Sequence, residues 1–268
     1  MSEKIIKVGF IGCGNMGGAI ARAVSRNLNT KLYISEPNKE KADKLSAELS
    51  AEILDGEEVC ESCDVIFLAI KPNLYPTVLP TLADSLDKNP KALVVTMAAG
   101  VSLGRLEELC GKRRLIRIMP NTPVAVGCGM TLWCAGELVT ESDKSTFLSV
   151  MEHSGRLDML DEKFIDAASA IYCCGPALAY MFGEALSDGG VRCGLPRDKA
   201  MLYAAEMLKG AAEMMLRSGK HPGALKDEVC SPGGSTIEGV RALEEGAFRG
   251  VCADAVIAAF EKTKKLGK

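Results

Sequence analysis

The chain has 268 residues, of which 47% are hydrophobic and 25% charged, a balance that indicates a folded protein rather than a disordered one. Its formal net charge of -3 provides no basic field for nucleic acid or an anionic membrane surface. Because we find neither a signal-like apolar segment nor a run of about eighteen apolar residues, we expect a cytoplasmic protein. Its eleven cysteines are then expected to be reduced thiols, and the lone Cys60-x-x-Cys63 pair predicts no metal site.

The first half of the chain alternates short apolar segments with amphipathic ones, a pattern typical of a parallel sheet covered by helices on both faces. Strands are predicted at residues 8–11, 32–35, 65–70, 93–96 and 115–119. Helices are predicted between them at residues 16–26, 39–49, 74–86 and 103–109. Two more short apolar segments, at 130–134 and 157–160, flank a helical segment at 141–153 and are expected to extend the sheet at one edge.

The strand pattern stops after residue 162, and the remaining chain is predicted to be helical. Helices are expected at residues 165–171, 177–193, 197–218, 237–245 and 248–265. We therefore predict a doubly wound α/β domain over residues 1–162 and an all-helical domain over residues 163–268. The helix at 197–218 carries Ala and Met on more than one face, which a small bundle would leave exposed. This favours a homodimer formed through the helical half.

A glycine-rich loop follows the first predicted strand and opens the first predicted helix. It consists of Gly12, Cys13, Gly14, Asn15, Met16 and Gly17. In this setting the glycines permit a tight turn, a close approach of a pyrophosphate to the backbone, and packing of the helix on the strand. The sequence therefore predicts a Rossmann domain that binds a dinucleotide through this loop.

The end of the second predicted strand carries Ser35 and Glu36, where the adenosine ribose is usually recognised. The Glu36 carboxylate could accept hydrogen bonds from a 2′-hydroxyl and would repel a 2′-phosphate, which favours NADH over NADPH. Lys39 could neutralise a phosphate and favours NADPH instead. A third interpretation, in which Glu36 is a solvated turn residue, stays open.

Three other loops follow strands of the predicted sheet and should face the cofactor, because ligands bind at the carboxyl edge of such sheets. They contain Ile70, Lys71 and Pro72, then Ala98, Ala99 and Gly100, and then Asn121. The small residues of the second loop would let a nicotinamide ring or its ribose approach the backbone. Asn121 either binds a ribose or carboxamide or stabilises its own turn.

Near the C-terminus the chain reads Ser231-Pro232-Gly233-Gly234-Ser235-Thr236, which predicts a helical turn, a tight loop and a new helix. Ser235 and Glu238 have the spacing of a capping box. The exposed N–H groups at the start of a helix can bind a carboxylate.

This stretch resembles the signature of the pyrroline-5-carboxylate reductase family. Other blocks resemble that family along nearly the whole chain: Ile70-Lys71-Pro72, Ala98-Ala99-Gly100, Asn121-Thr122-Pro123, Gly175-Pro176-Ala177, Asp188-Gly189-Gly190-Val191 and Gly194-Leu195-Pro196. The resemblance implies hydride transfer from NADPH or NADH to a cyclic imine carbon, giving L-proline in the last step of proline biosynthesis. It also implies a dimer with interleaved C-terminal helices and an active site in each interface, with further assembly of dimers left open.

The resemblance also implies roles for individual residues. Thr236 would be the catalytic residue that hydrogen-bonds the imine nitrogen, and Ser231, Gly234, Ser235 and Thr236 would hold the substrate. The roles of Lys71 and Lys226 stay open, since each is either a charge partner or a surface or structural lysine.

This chain departs from the family pattern in three places. Where the family usually reads Ser-Gly-Ser before Gly-Pro-Ala, the chain reads Tyr172-Cys173-Cys174. Glu36 stands where some relatives carry Ser, and Gly56 stands where a small polar side chain can help hold a 2′-phosphate. Both differences favour NADH.

Two other functions are compatible with parts of the sequence. A carbonyl-reducing enzyme similar to the β-hydroxyacid dehydrogenases would need a lysine proton donor on the long interdomain helix, and residues 177–193 contain none, although Glu184 or Asp188 could serve as acids. A non-catalytic dinucleotide sensor would have no use for the loop at 231–236.

Overall fold

Buried apolar strands alternate with helices through the first half of the computed structural model, which describes residues 5–266. The strands are β1 (Ile6–Ile11), β2 (Thr30–Ser35), β3 (Glu52–Ile53), β4 (Val65–Leu68), β5 (Leu93–Thr96), β6 (Leu115–Pro120), β7 (Gly129–Ala135) and β8 (Gly155–Met159). In the described range they form one eight-stranded sheet in the order β3-β2-β1-β4-β5-β6-β7-β8. The strands are parallel from β3 to β6, β7 runs antiparallel to β6, and β8 runs parallel to β7. The predicted doubly wound, mostly parallel sheet is confirmed, as is its extension at one edge.

The helices match the predicted segments closely, with one addition in each half. Those of the sheet-forming half are α1 (Asn15–Val24), α2 (Lys39–Leu49), α3 (Gly56–Ser62), α4 (Tyr75–Lys88), α5 (Leu103–Cys110) and α6 (Glu141–Val150). They are followed by α7 (Glu162–Tyr172), α8 (Gly175–Arg192), α9 (Arg197–Ser218), α10 (Pro222–Val229), α11 (Ser235–Glu245) and α12 (Phe248–Leu266). The prediction missed β3 and α3 and described α10 as a single helical turn.

Hydrophobic cores lie on both faces of the sheet. On one face Phe10 and Phe67 stack at a centroid distance of 4.8 Å beneath the buried side of α1. On the other face α3, α4 and α5 pack on the alternate side chains of the same strands, including Ile66 and Leu68. Strands that are apolar on both faces need this double cover, which explains their continuous apolar sequences.

The chain divides into two compact units. One contains the sheet and α7, up to Cys173, together with the chain from Phe260 onward, and the other spans Cys174–Ala259. The predicted domain boundary at 162 stays a prediction. In the second unit large apolar side chains are exposed, including Tyr180 (67%), Met181 (68%) and Leu216 (70%). A soluble monomer rarely exposes so much apolar surface, so this unit is expected to associate with another chain.

The eleven cysteines are free thiols, and Cys60 and Cys63 are fully buried. Burial raises the pKa of Cys60 to about 12 and that of Cys63 to about 11, which removes the reactive thiolate near neutral pH.

We therefore expect both thiols to resist iodoacetamide in the native protein while the exposed Cys128 reacts, as measured by mass spectrometry of tryptic peptides. Denaturation should make all three reactive. A Cys60–Cys63 disulfide in the native protein would contradict this prediction.

Candidate dinucleotide and substrate sites

The glycine-rich loop joins β1 to α1, and its three glycines meet three different demands. Gly12 has φ +87°, and a Cβ there would lie 2.9 Å from the Ala69 carbonyl oxygen. At Gly17 a Cβ would lie 2.6 Å from the Gly12 carbonyl oxygen, so glycine is needed for α1 to pack this closely. At Gly14, by contrast, the described residues leave the space around a Cβ open within 4 Å. Close packing at two glycines and open space at the third fit the approach of a pyrophosphate over Gly14.

The N-terminus of α1 is available to an anion. Gly14 is the N-cap residue, no side chain of the described chain caps it, and the first turn contains no acidic residue. The positive end of the helix dipole and its N–H groups therefore remain for a ligand. These features of the loop fit a dinucleotide.

Glu36 is held against this loop by two backbone hydrogen bonds. One carboxylate oxygen accepts from the Cys13 N–H (2.8 Å) and the other from the Asn38 N–H (3.1 Å). The carboxylate also acts on its neighbour: burial, and secondarily the charge of Glu36, raise the pKa of the Cys13 thiol to about 12. Glu36 is therefore a fixed negative charge at the end of β2 and not a freely solvated turn residue.

A cavity of about 290 Å³ opens beside the same loop, and the sequence analysis did not anticipate its basic lining. Arg22, Lys41 and Lys44 line it together with residues of the loop. Arg22 is engaged by Glu48 through two hydrogen bonds of 2.6 and 2.7 Å. Lys39, which the sequence suggested as the lysine that could neutralise a 2′-phosphate, does not line this cavity. Lys41 and Lys44 line it instead. Their one-turn spacing on α2 was the signal that could have identified them.

The other predicted cofactor residues lie at the same edge of the sheet, because β1, β2, β4, β5 and β6 all end there. Ile70, Lys71 and Pro72 follow β4, and Ala98, Ala99 and Gly100 follow β5.

The structure adds a buried tyrosine that the sequence analysis missed. Tyr75 donates to the Leu68 carbonyl oxygen and contacts the Thr96 hydroxyl, each at 2.8 Å, and thereby ties the ends of β4 and β5 together.

Asn121, which follows β6, is buried, and both polar atoms of its side chain are hydrogen-bonded within the protein. Its amide nitrogen donates to the Tyr172 carbonyl oxygen (3.0 Å), and its amide oxygen accepts from the Met130 N–H (2.9 Å). Of the two roles considered for this residue, the geometry favours stabilisation of its turn. A direct contact of its side chain with the cofactor stays a prediction.

The C-terminal loop lies in the second unit, between α10 and α11. Gly233 has φ +68°, and the Gly234 N–H donates to the Ser231 carbonyl oxygen (3.0 Å). A Cβ on Gly234 would overlap the Ser231 hydroxyl. The positive φ therefore favours glycine at Gly233, and a side chain at Gly234 would force the Ser231 hydroxyl to move.

The predicted capping box at Ser235 is wrong. Gly234 is the N-cap residue, Ser235 is the first residue of α11, and no side-chain cap is present in the described chain. Glu238 instead accepts a hydrogen bond from Arg241 (3.0 Å). The N–H groups at the start of α11 are thus left to a ligand, and Thr236 is exposed beside them. Lys226, a possible charge partner, forms an ion pair with Asp227 at 2.7 Å, and the hydrogen bond that its ammonium group donates to that carboxylate raises the pKa of Lys226.

Comparison with known proteins decides the family. Residues 162–266 match the family model described as pyrroline-5-carboxylate reductase dimerisation, and residues 7–100 match the model described as NADP oxidoreductase, coenzyme F420-dependent. The chain is 40% identical over 267 residues to the pyrroline-5-carboxylate reductase of Escherichia coli, with 98% of each chain covered. The chain belongs to the pyrroline-5-carboxylate reductase family.

Other members of the reductase family are similar over the same length. The reductase of Pisum sativum is 38% identical, with 97% of this chain and 95% of that protein covered. The crystal structure of the Plasmodium falciparum pyrroline carboxylate reductase with NADP bound superposes with a TM-score of 0.90 at 33% identity and covers 100% of both chains. A prephenate dehydrogenase from A. aeolicus, at 14% identity and a TM-score of 0.55, shares the fold alone.

The match to the dimerisation model supports dimer formation by this reductase-family chain. The same match covers the helical stretch at 162–192. By length and mean hydropathy (1.3) alone, this stretch would suffice to cross a membrane. This stretch comprises two helices, α7 and α8, and lies inside the dimerisation match. Its apolar surface is therefore consistent with association between chains.

Substitution of two glycines in the loop should separate cofactor binding from folding. Gly14→Val projects into open space and should leave the free energy of unfolding within about 1 kcal/mol of wild type. It should still weaken dinucleotide binding at least about tenfold, because the side chain occupies the place of the pyrophosphate. Gly17→Val should instead destabilise the fold by about 1–3 kcal/mol through overlap with Gly12 and Ala69.

The measurements are urea denaturation and fluorescence titration with NADH. Wild-type affinity in a folded Gly14→Val protein would contradict the assignment of this loop.

Proposed function

We propose that this chain reduces the C=N bond of pyrroline-5-carboxylate and so forms L-proline in the last step of proline biosynthesis. In this reaction the imine carbon gains a hydride, the nitrogen gains a proton, and the dinucleotide is oxidised. A bound NADH or NADPH supplies the hydride. The observation that carries the proposal is the uncapped start of α11 behind the Ser231-Pro232-Gly233-Gly234 turn, in a chain of this family.

The substrate carboxylate would bind at this helix start. The N–H groups of Ser235 and Thr236 lie at the positive end of α11, and Gly233 and Gly234 bend the chain sharply enough to leave room in front of them. A carboxylate held there by charge-assisted hydrogen bonds would orient the ring. Ser231, packed against Gly234, would fix the shape of the turn.

Thr236 would hydrogen-bond the imine nitrogen. An imine carbon accepts hydride readily once its nitrogen is protonated or hydrogen-bonded, so alignment of the two reactants matters more than a strong acid. Alignment can contribute about 7–11 kcal/mol in favourable systems. Neither histidine is needed for this chemistry: the His221 side chain caps α10 by accepting from the Gly223 N–H (3.1 Å).

The dinucleotide would bind through the loop at 12–17, with Glu36 at the adenosine ribose, and the remaining predicted cofactor residues would contact it at the same edge of the sheet. We propose a preference for NADH. The Glu36 carboxylate is fixed by the Cys13 and Asn38 N–H groups, so it cannot easily turn away from a 2′-phosphate. Lys41 and Lys44, which line the nearby cavity, favour the opposite preference, and the balance is therefore open to measurement.

The functional unit would be a cytoplasmic homodimer with interleaved C-terminal helices, and dimers could assemble further. The exposed apolar side chains of α8 and α9 support this arrangement, since they need a partner surface.

Thr236→Ala tests the proposed reaction. We expect wild type to oxidise NADH or NADPH only when pyrroline-5-carboxylate is present, and Thr236→Ala to lower kcat/KM about 100-fold, because a hydrogen bond made at the reacting atoms is lost. Absorbance of the reduced nicotinamide measures both. Thr146→Ala is the matched control, since its hydroxyl bonds the Ser142 carbonyl oxygen on the exposed face of α6 (2.9 Å). Absence of turnover in a wild-type protein that binds dinucleotide would refute the proposed function.

Glu36→Ser tests the cofactor preference. Removing the carboxylate removes both the acceptor for the 2′-hydroxyl and the repulsion of a 2′-phosphate, so the ratio of kcat/KM for NADPH to that for NADH should rise about tenfold or more. Glu40→Ser serves as the control, because it removes the same charge from the first turn of α2. An unchanged ratio in Glu36→Ser would show that Glu36 does not set the preference.

A further inference from the structure

The helix α7 is attached by polar contacts to β6, to Asn121 in the loop that follows β6, and to the start of α5. At its first residue, one Glu162 carboxylate oxygen accepts from the Leu103 N–H (2.8 Å) and from the Arg117 guanidinium (3.1 Å). Arg117 is buried within β6 and also donates to Asp166 of α7 (2.6 Å). These contacts tie the start of α7 to the middle of β6 and to the first residue of α5, just after the loop at 98–100.

The other end of α7 is attached to the end of β6. The Tyr172 hydroxyl donates to the Met119 carbonyl oxygen (2.6 Å), and the Cys173 thiol contacts the Pro120 carbonyl oxygen (3.4 Å). The Tyr172 carbonyl oxygen accepts from the Asn121 amide (3.0 Å). Three consecutive residues of the β6 end are therefore bonded to two consecutive residues of the α7 end.

The end of β6 lies beyond β5 but stays paired with β7. β5 pairs with β6 only through Leu115, Ile116 and Arg117, whereas β7 accompanies Ile118, Met119 and Pro120. The contacts from α7 therefore add side-chain hydrogen bonds to a strand end that already has one paired edge. The Tyr172 hydroxyl makes its bond from a half-buried position, and burial raises the pKa of that hydroxyl, which therefore stays a donor throughout the physiological range.

We propose that Tyr172 is a positioning residue for the reductase reaction. Its hydroxyl and carbonyl groups hold the end of β6, and thus the loop at Asn121, in the place from which that loop borders the dinucleotide. The assignment rests on the proposed function.

Tyr172→Phe removes the hydroxyl and keeps the ring. We expect kcat to fall about five- to twentyfold, while KM for pyrroline-5-carboxylate changes less than about twofold, because a small displacement of a positioned group slows the chemical step. The primary deuterium isotope effect on kcat, measured with dinucleotide deuterated at C4, should increase because hydride transfer becomes more rate-limiting. Tyr33→Phe is the control: it removes the hydroxyl of another buried tyrosine of the same sheet, away from β6.

The outcomes separate positioning from stability and from the proposed function. A lower melting temperature with unchanged kcat and isotope effect would overturn the positioning role and leave a structural one. Absence of wild-type turnover would overturn the proposed function and this inference together. Should Tyr172→Phe fail to fold, Cys173→Ala removes the neighbouring contact to Pro120 and keeps the phenol. It should raise the isotope effect in the same direction, and an unchanged value would overturn the proposal.

Discussion

Close contact between Gly17 and the backbone of Gly12 brings the first turn of α1 onto the end of β1, and the proposed dinucleotide site depends on this contact. A Cβ at Gly17 would lie 2.6 Å from the Gly12 carbonyl oxygen and 2.7 Å from the Ala69 Cβ. Any side chain there would lift the helix start away from the sheet. The N–H groups of that turn, and the Cys13 N–H that holds Glu36, would then no longer converge on one place.

The loops at the carboxyl edge are fixed by a few polar groups rather than by further secondary structure. Glu36 joins the end of β2 to the loop after β1, Tyr75 joins the ends of β4 and β5, and Tyr172 joins the end of β6 to α7. Each uses a side chain from one element to bond the backbone of another. Such fixation prepares a binding edge before the ligand arrives, which reduces the entropy lost on binding.

Much of the fold could be predicted because continuous buried apolar strands and amphipathic helices leave periodic patterns in the sequence. β3 was not predicted because its two residues are too few to show an alternation of apolar and polar side chains. α3 was not predicted because its seven residues are too few to show a clear helical repeat. The spacing of Asp55 and Glu58, which form a capping box, could have indicated this helix. The spacing predicted Ser235 as the N-cap residue of a capping box, but the turn at Gly233 makes Gly234 the N-cap residue, one position earlier. The contacts of Tyr75, Tyr172 and Asn121 join residues remote in sequence or in different elements, which local patterns cannot reveal.

The two edges of the sheet give another strand little to extend. β3, at one edge, has two residues, and β8, at the other, has five, among them the exposed charges of Arg156 and Asp158. Unpaired strand edges recruit other chains most readily when they are long, flat and apolar. Aggregation by strand addition is therefore disfavoured at both edges, and the match to the dimerisation model falls on α7 to α12, which present side chains rather than an open backbone edge.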